Sequence, residues 1–233
     1  MSSSWTLRDA LRPGLLAVRR FYRVFIFFQT IAIGLYFCYE HIPSVRTSVD
    51  TFAHWKSSGG IFLSALLTAL AGTVLPETVR TVVGPDRIWS TQRLRKLGWN
   101  FLFFGFNGLL VDLFYVLQVH LFGLGHTLSV LLPKMALDCL VFIPWICLPM
   151  TVSYFLWLEL SWSPAQILRA WNWPLYRDRV LPLLFPDYLY WIPIIFFLYG
   201  LPLNLQIPFF LLAFSGWSLA FVFIASHGLP TKK

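Results

Sequence analysis

The sequence predicts an all-α fold, a polytopic bundle of membrane-spanning helices, and three observations carry that prediction. First, 58% of the 233 residues are hydrophobic and 12% are charged, with a mean hydropathy of +0.68. Soluble domains run at about 45–50% apolar and about 25% charged, so a water-soluble fold has nowhere to put this much apolar surface. Second, the apolar residues fall into six segments: Val24–Tyr39, Ile61–Leu75, Trp99–Phe122, Met135–Leu158, Tyr188–Leu203 and Ile207–Ser226. Third, with the N-terminus on the inner side, 15 of the 18 Lys and Arg residues face inward, and only Arg46, Lys56 and Lys134 fall in outer connections. That bias sets orientation and puts both termini inside.

The first 23 residues form a basic amphipathic segment. Leu7, Leu11, Leu15, Val18 and Tyr22 share a helical face flanked by Arg8, Arg12, Arg19 and Arg23, and Pro13-Gly14 is expected to split it. It reads as a surface-lying helix that holds the N-terminus inside, or as a mitochondrial targeting segment. Residues 24–226 make the bundle and 227–233 a basic tail.

A span needs about 20 residues. Four spans meet this securely and six are the preferred number; Ile61–Leu75 and the proline-interrupted Tyr188–Leu203 are short. In the second segment Gly60, Ser64, Thr68 and Gly72 recur at helical spacing, a ladder that lets another backbone approach. In the third, Gly105, Gly108, Asp112, Tyr115 and Gln118 share a stripe, with Asn107 beside it. After a turn from Gly123 to Lys134, the fourth segment places Lys134 and Asp138 at i, i+4, within pairing reach. Pro144 and Pro149 then free backbone carbonyls, which is tolerated only inside a bundle or along a cavity. From Ser161 to Leu184 the chain is rich in Trp and Arg, and is expected to be an interfacial segment whose first helix starts at Ser163-Pro164. Trp89, Trp99, Trp162, Trp171, Trp173 and Trp191 are expected at span ends, as in an interfacial belt.

Asp112 is the residue on which function turns. It lies near the middle of its segment, and no Lys or Arg occurs at comparable depth in segments two to six. It is therefore expected without an ion-pair partner. It is either protonated within the bundle or ionised in a water-filled passage walled by Gly105, Gly108, Tyr115 and Gln118. No HExxH, G-x-S-x-G, CxxC or phosphate-binding glycine loop occurs, and Cys38, Cys139 and Cys147 read as core residues. No catalytic residue, metal or cofactor is expected, and no nucleic acid as partner. The expected partners are the lipid bilayer, a small solute of unknown class and, as an alternative to a monomer, further copies of the chain.

Gly108, Phe114, Tyr115 and Leu117 stand as G-x5-F-Y-x-L, and Lys134, Asp138 and Pro144 as K-x3-D-x5-P. With Gly72 and Glu77 before them and Trp191, Pro193, Pro202 and Trp217 after, this resembles a divergent member of one membrane-protein family. That family includes the twenty-two-kilodalton peroxisomal membrane protein and the mitochondrial inner-membrane protein Mpv-seventeen. Thr73 stands where the family has Asp, and Cys139 where it has Gln. The resemblance implies a small multi-span protein of a mitochondrial inner or peroxisomal membrane, or of the inner membrane in a bacterium, and a channel for small solutes or metabolites. A non-conducting structural protein is the alternative.

Overall fold

The computed structural model describes residues 7–83, 88–125, 127–160, 163–201 and 203–226. Those residues are almost wholly helical and contain no strand. Eight helices follow one another: α1 (Leu7–His41), α2 (Pro43–Ser58), α3 (60–83), α4 (Thr91–Phe122), α5 (Leu128–Glu159), α6 (Pro164–Ala170), α7 (173–200) and α8 (Leu203–Ser226). Among the described residues, four apolar stretches are long enough to cross a membrane: Gly60–Thr78, Thr91–Phe122, Leu128–Glu159 and Trp173–Tyr199. Leu205–Ser218 of α8 is a further apolar stretch among the residues with described side chains, within a helix that runs from Leu203 to Ser226, and the first segment lies within α1.

Several sequence expectations change. Pro13-Gly14 does not split α1, which runs unbroken for 35 residues. A proline inside a helix gives up one backbone hydrogen bond and bends the helix without having to end it. Lys134 is not in the turn, because α5 already starts at Leu128 and carries Pro133 within it. Of the Trp-rich stretch, only α6 is separate, with Ser163 at its N-cap position and Pro164 in its first turn. From Trp173 onward the chain belongs to a helix that reaches Gly200. The tail 227–233, Trp162 and Pro202 lie outside the described residues.

The two segments that looked short are extended past proline by one device. Residues 70–74, 138–147 and 176–180 are π-helical, with N–H groups that bond five residues back. The last such donors are Leu75 to Leu70 O, Leu148 to Ile143 O and Leu181 to Tyr176 O. In each case the next residue is proline: Pro76, Pro149 and Pro182. A proline ring clashes with the carbonyl four residues back, and widening the turn moves that carbonyl away. The π register shifts the lost bond to the carbonyl five back, and buried or half-buried side chains supply the missing donor. Ser218 Oγ donates to Ala71 O (3.2 Å), the carbonyl Pro76 cannot reach. Tyr176 OH donates to Pro144 O (3.1 Å) in place of Pro149, and Tyr188 OH to Cys139 O in place of Pro144. In hydrocarbon an unanswered carbonyl costs several kcal/mol, so these hydroxyls are what allow the prolines inside the bundle.

The core sits where α4, α5, α7 and α8 meet, with α1 laid against α7 and α8. Stacked rings lock α4 to α5: Phe103 on Tyr154 (4.1 Å) and Phe114 on Phe142 (3.9 Å). Tyr154 OH donates to Asn100 Oδ1 at 2.6 Å. Trp191 does not join an interfacial belt. It is buried, stacked on Phe210 and edge-on to Trp217, so both tryptophans help to hold α7 to α8.

Candidate functional site

Polar residues of the bundle gather at two seams. The first lies between α3 and α4. Small residues bring these helices together: a Cβ added to Gly108 would lie 2.6 Å from Thr68 Oγ1 and 3.0 Å from Ser64 O. At Gly105 the same atom would meet Ala65 O and Ala69 Cβ at an ordinary 3.6 Å. Gly72 is pressed by the rings of Phe104 and Phe214, at 2.6 and 2.9 Å from a built Cβ. The small-residue stripe is therefore filled by a neighbouring helix. Asn107 is buried on the same helix.

Asp112 stands at the end of this seam, and it has a cation. Lys56 Nζ lies 3.3 Å from Asp112 Oδ1, and Ser64 Oγ donates to Oδ2 at 2.8 Å. This corrects the expectation that no basic residue could reach it. Lys56 is in the last turn of α2, not in a loop, and the chain turns sharply at Gly59-Gly60, where Gly60 adopts φ +58°. That corner, open to glycine's left-handed conformation, lets the end of α2 bring Lys56 to Asp112 on α4. Separation of 56 residues in sequence concealed the pair.

Glu77, at the other end of α3, is also paired. Arg93 bonds Glu77 through Nε and donates to Thr81 Oγ1 (2.7 Å) and Ile88 O (3.2 Å). Its guanidinium lies 4.5 Å from the centre of the Trp89 ring. Together these contacts tie the start of α4 to the end of α3.

The second seam joins α4 and α5 to α7, and its charges are not neutralised in this way. Lys134, Asp138 and Asp187 are all buried, at 6, 5 and 4% exposure. Among the described residues no ion pair joins Lys134 to Asp138, so the i, i+4 spacing does not produce the expected bridge. Asp138 Oδ2 instead accepts from Tyr199 OH at 2.7 Å. Tyr115 packs edge-on to Tyr199, with ring centres 5.8 Å apart. Gln118 donates through Nε2 to Lys134 O (3.2 Å), while its Oε1 has no hydrogen-bond partner. Pro144 is buried in the π-helical stretch that begins at Asp138.

Asp187 is the residue that sequence reading missed. It stands one residue ahead of the fifth apolar segment, yet it sits inside α7 with Oδ2 unpartnered. The surrounding pattern, a lone acid between Pro186 and a Tyr-rich apolar run, could have revealed it. Asp187 and Asp138 lie within electrostatic reach of one another and of the Cys139 and Cys147 thiols. All three cysteines are free thiols. Compared with protein-family models, curated proteins and solved structures, the chain matches none.

Proposed function

We propose that the chain is an integral membrane permeation protein that passes a small solute or ion through the bundle along the α5–α7 seam. One observation supports this reading: three ionisable side chains, Lys134, Asp138 and Asp187, are buried there without ion pairs among the described residues. Ionisable groups in a membrane interior are costly and mark ion and substrate paths. They lie on helices interrupted by π turns and prolines, the kind of broken helix that builds binding sites in transport proteins. Permeation along the α3–α4 stripe is not part of the proposal, since Thr68 and Ser64 fill the space in front of Gly108. Membership of the Mpv-seventeen-like family, six spans and inner-side termini belong to the same proposal. They rest on the motif spacing around Gly108, Lys134 and Asp138 and on the placement of basic residues.

A second reading, a non-conducting scaffold, is favoured by the closed packing at Gly72 and Gly108 and by the neutralised pairs Lys56–Asp112 and Arg93–Glu77. Purified protein in planar bilayers and in dye-loaded liposomes separates the two. Stepwise conductance or solute flux supports permeation. Silence from protein shown to be folded by circular dichroism supports the scaffold.

A further inference from the structure

Charge does not balance at the α5–α7 seam. Among the described residues two buried carboxylates, Asp138 and Asp187, face at most one cation, Lys134, which stands one helical turn from Asp138 and is not paired with it. The other titratable groups around them are phenols and thiols. Tyr199 and Tyr115 face Asp138 from α7 and α4; Cys139 and Cys147 lie on its own helix, and Tyr188 lies beside Asp187. All of these are neutral near pH 7 and none supplies positive charge. An ionised carboxylate needs a counter-charge or several donors to remain in so apolar a place. Asp138 has one hydroxyl donor, and Asp187 Oδ2 has none. Gln118 Oε1, at 1% exposure, is a further buried acceptor without a donor, and its amide lies on the Lys134 carbonyl at the same seam. A seam with surplus acceptors and too few hydrogens takes hydrogen from outside.

We propose that the α5–α7 seam is a proton-binding site, in which Asp187 and Asp138 together hold at least one proton in the membrane interior and exchange it with solution. The geometry favours a proton over a metal ion, because no three His, Cys, Asp or Glu side chains among the described residues converge on a common point. One bound proton turns one carboxylate into a neutral acid, which removes the excess negative charge and adds a donor for the unanswered acceptors. The inference deepens the permeation reading of the same seam and rests on it for its biological meaning. Its test reads the proton itself.

The experiment is infrared spectroscopy of the full chain in liposomes, titrated from acid to alkaline pH, in ordinary and heavy water. A protonated carboxyl gives a C=O stretching band that a carboxylate lacks and that shifts in heavy water. We expect that band at neutral pH in the unmodified protein, its loss on going alkaline, and its loss at neutral pH in Asp187→Asn/Asp138→Asn. Dicyclohexylcarbodiimide, an apolar reagent selective for protonated carboxyls, is expected to modify Asp187 or Asp138 and to lose that reactivity at alkaline pH. The unmodified protein serves as the primary sample, so a variant that fails to fold does not remove the test. No such band at neutral pH, or one that persists undiminished in the folded double variant, overturns the proposal. Liposomes that show the band but pass no solute overturn permeation and leave the proton site standing.

Discussion

The α3–α4 and α5–α7 seams use the same ingredients, an intramembrane acid, small or kinked backbone and hydroxyl side chains, and reach opposite outcomes. At the first, Asp112 has Lys56 at 3.3 Å and Ser64 at 2.8 Å, and the helices touch through Gly108. At the second, Asp138 has a single tyrosine hydroxyl, Asp187 has an unanswered oxygen, and the backbone is opened by π turns. An acid in a membrane is thus no single signal. Where a cation reaches it, the acid fastens helices together; where none does, it stays available for a proton or a passing ligand. The hydroxyls divide in the same way. Thr68 bonds back to Ser64 O on its own helix (2.8 Å), whereas Tyr176 and Tyr188 reach across to carbonyls that proline has freed.

The largest expected effect tests the first seam. Lys56→Ala strands Asp112 with one hydroxyl donor, and should cost about 2–3 kcal/mol, less than a fully buried pair because both side chains keep some exposure. Thermal unfolding in detergent, followed by circular dichroism, reads the loss. If Asp112 is only a structural bolt, Lys56→Ala/Asp112→Asn recovers much of it. Failure of the double variant to recover would return Asp112 to the list of functional residues.

Next come the glycines, which differ in sign. Gly108→Ala drives a Cβ onto Thr68 and the Ser64 carbonyl and should cost about 1–2 kcal/mol by overpacking. Gly105→Ala has room at 3.6 Å and should be neutral or stabilising, by up to about 1 kcal/mol, because alanine is the better helix former. Equal effects at the two positions would mean that the helices are not packed as described.

The second seam has its own double variant. Tyr188→Phe leaves Cys139 O without a donor, at about 1–2 kcal/mol. Pro144→Ala returns a backbone N–H to that turn, so Tyr188→Phe should cost less in the Pro144→Ala background than alone. Additive costs in the same unfolding assay would separate the tyrosine from the proline.

The smallest effect is the most telling for the comparison. Where Asp187 is the carboxyl that holds the proton, Asp187→Asn replaces a neutral acid by a neutral amide of the same shape and should change stability by no more than about 0.5 kcal/mol. Asp112→Asn removes a charge from an ion pair and should cost about 1–2 kcal/mol. Matching losses at the two positions would show that Asp187 is ionised and paired in solution.

By itself the sequence determined the fold class, because apolar runs of membrane length admit only helices with satisfied backbones. It also marked the close approaches at Gly72 and Gly108 and the need for something to answer the carbonyls freed by Pro144 and Pro149. Those properties are local: they follow from hydropathy, helical period and the chemistry of single residues. What it misplaced is everything that depends on partners distant in the chain. Lys56 lies in a connection by hydropathy, Asp187 falls outside every apolar segment, and the spacing of Lys134 and Asp138 suits a bridge that Tyr199, 61 residues away, supplants. Only the tertiary structure decided these, since an ion pair depends on which helix end folds back onto which face. The Gly59-Gly60 corner brings a cation to Asp112, and among the described residues no comparable corner brings one to Asp187.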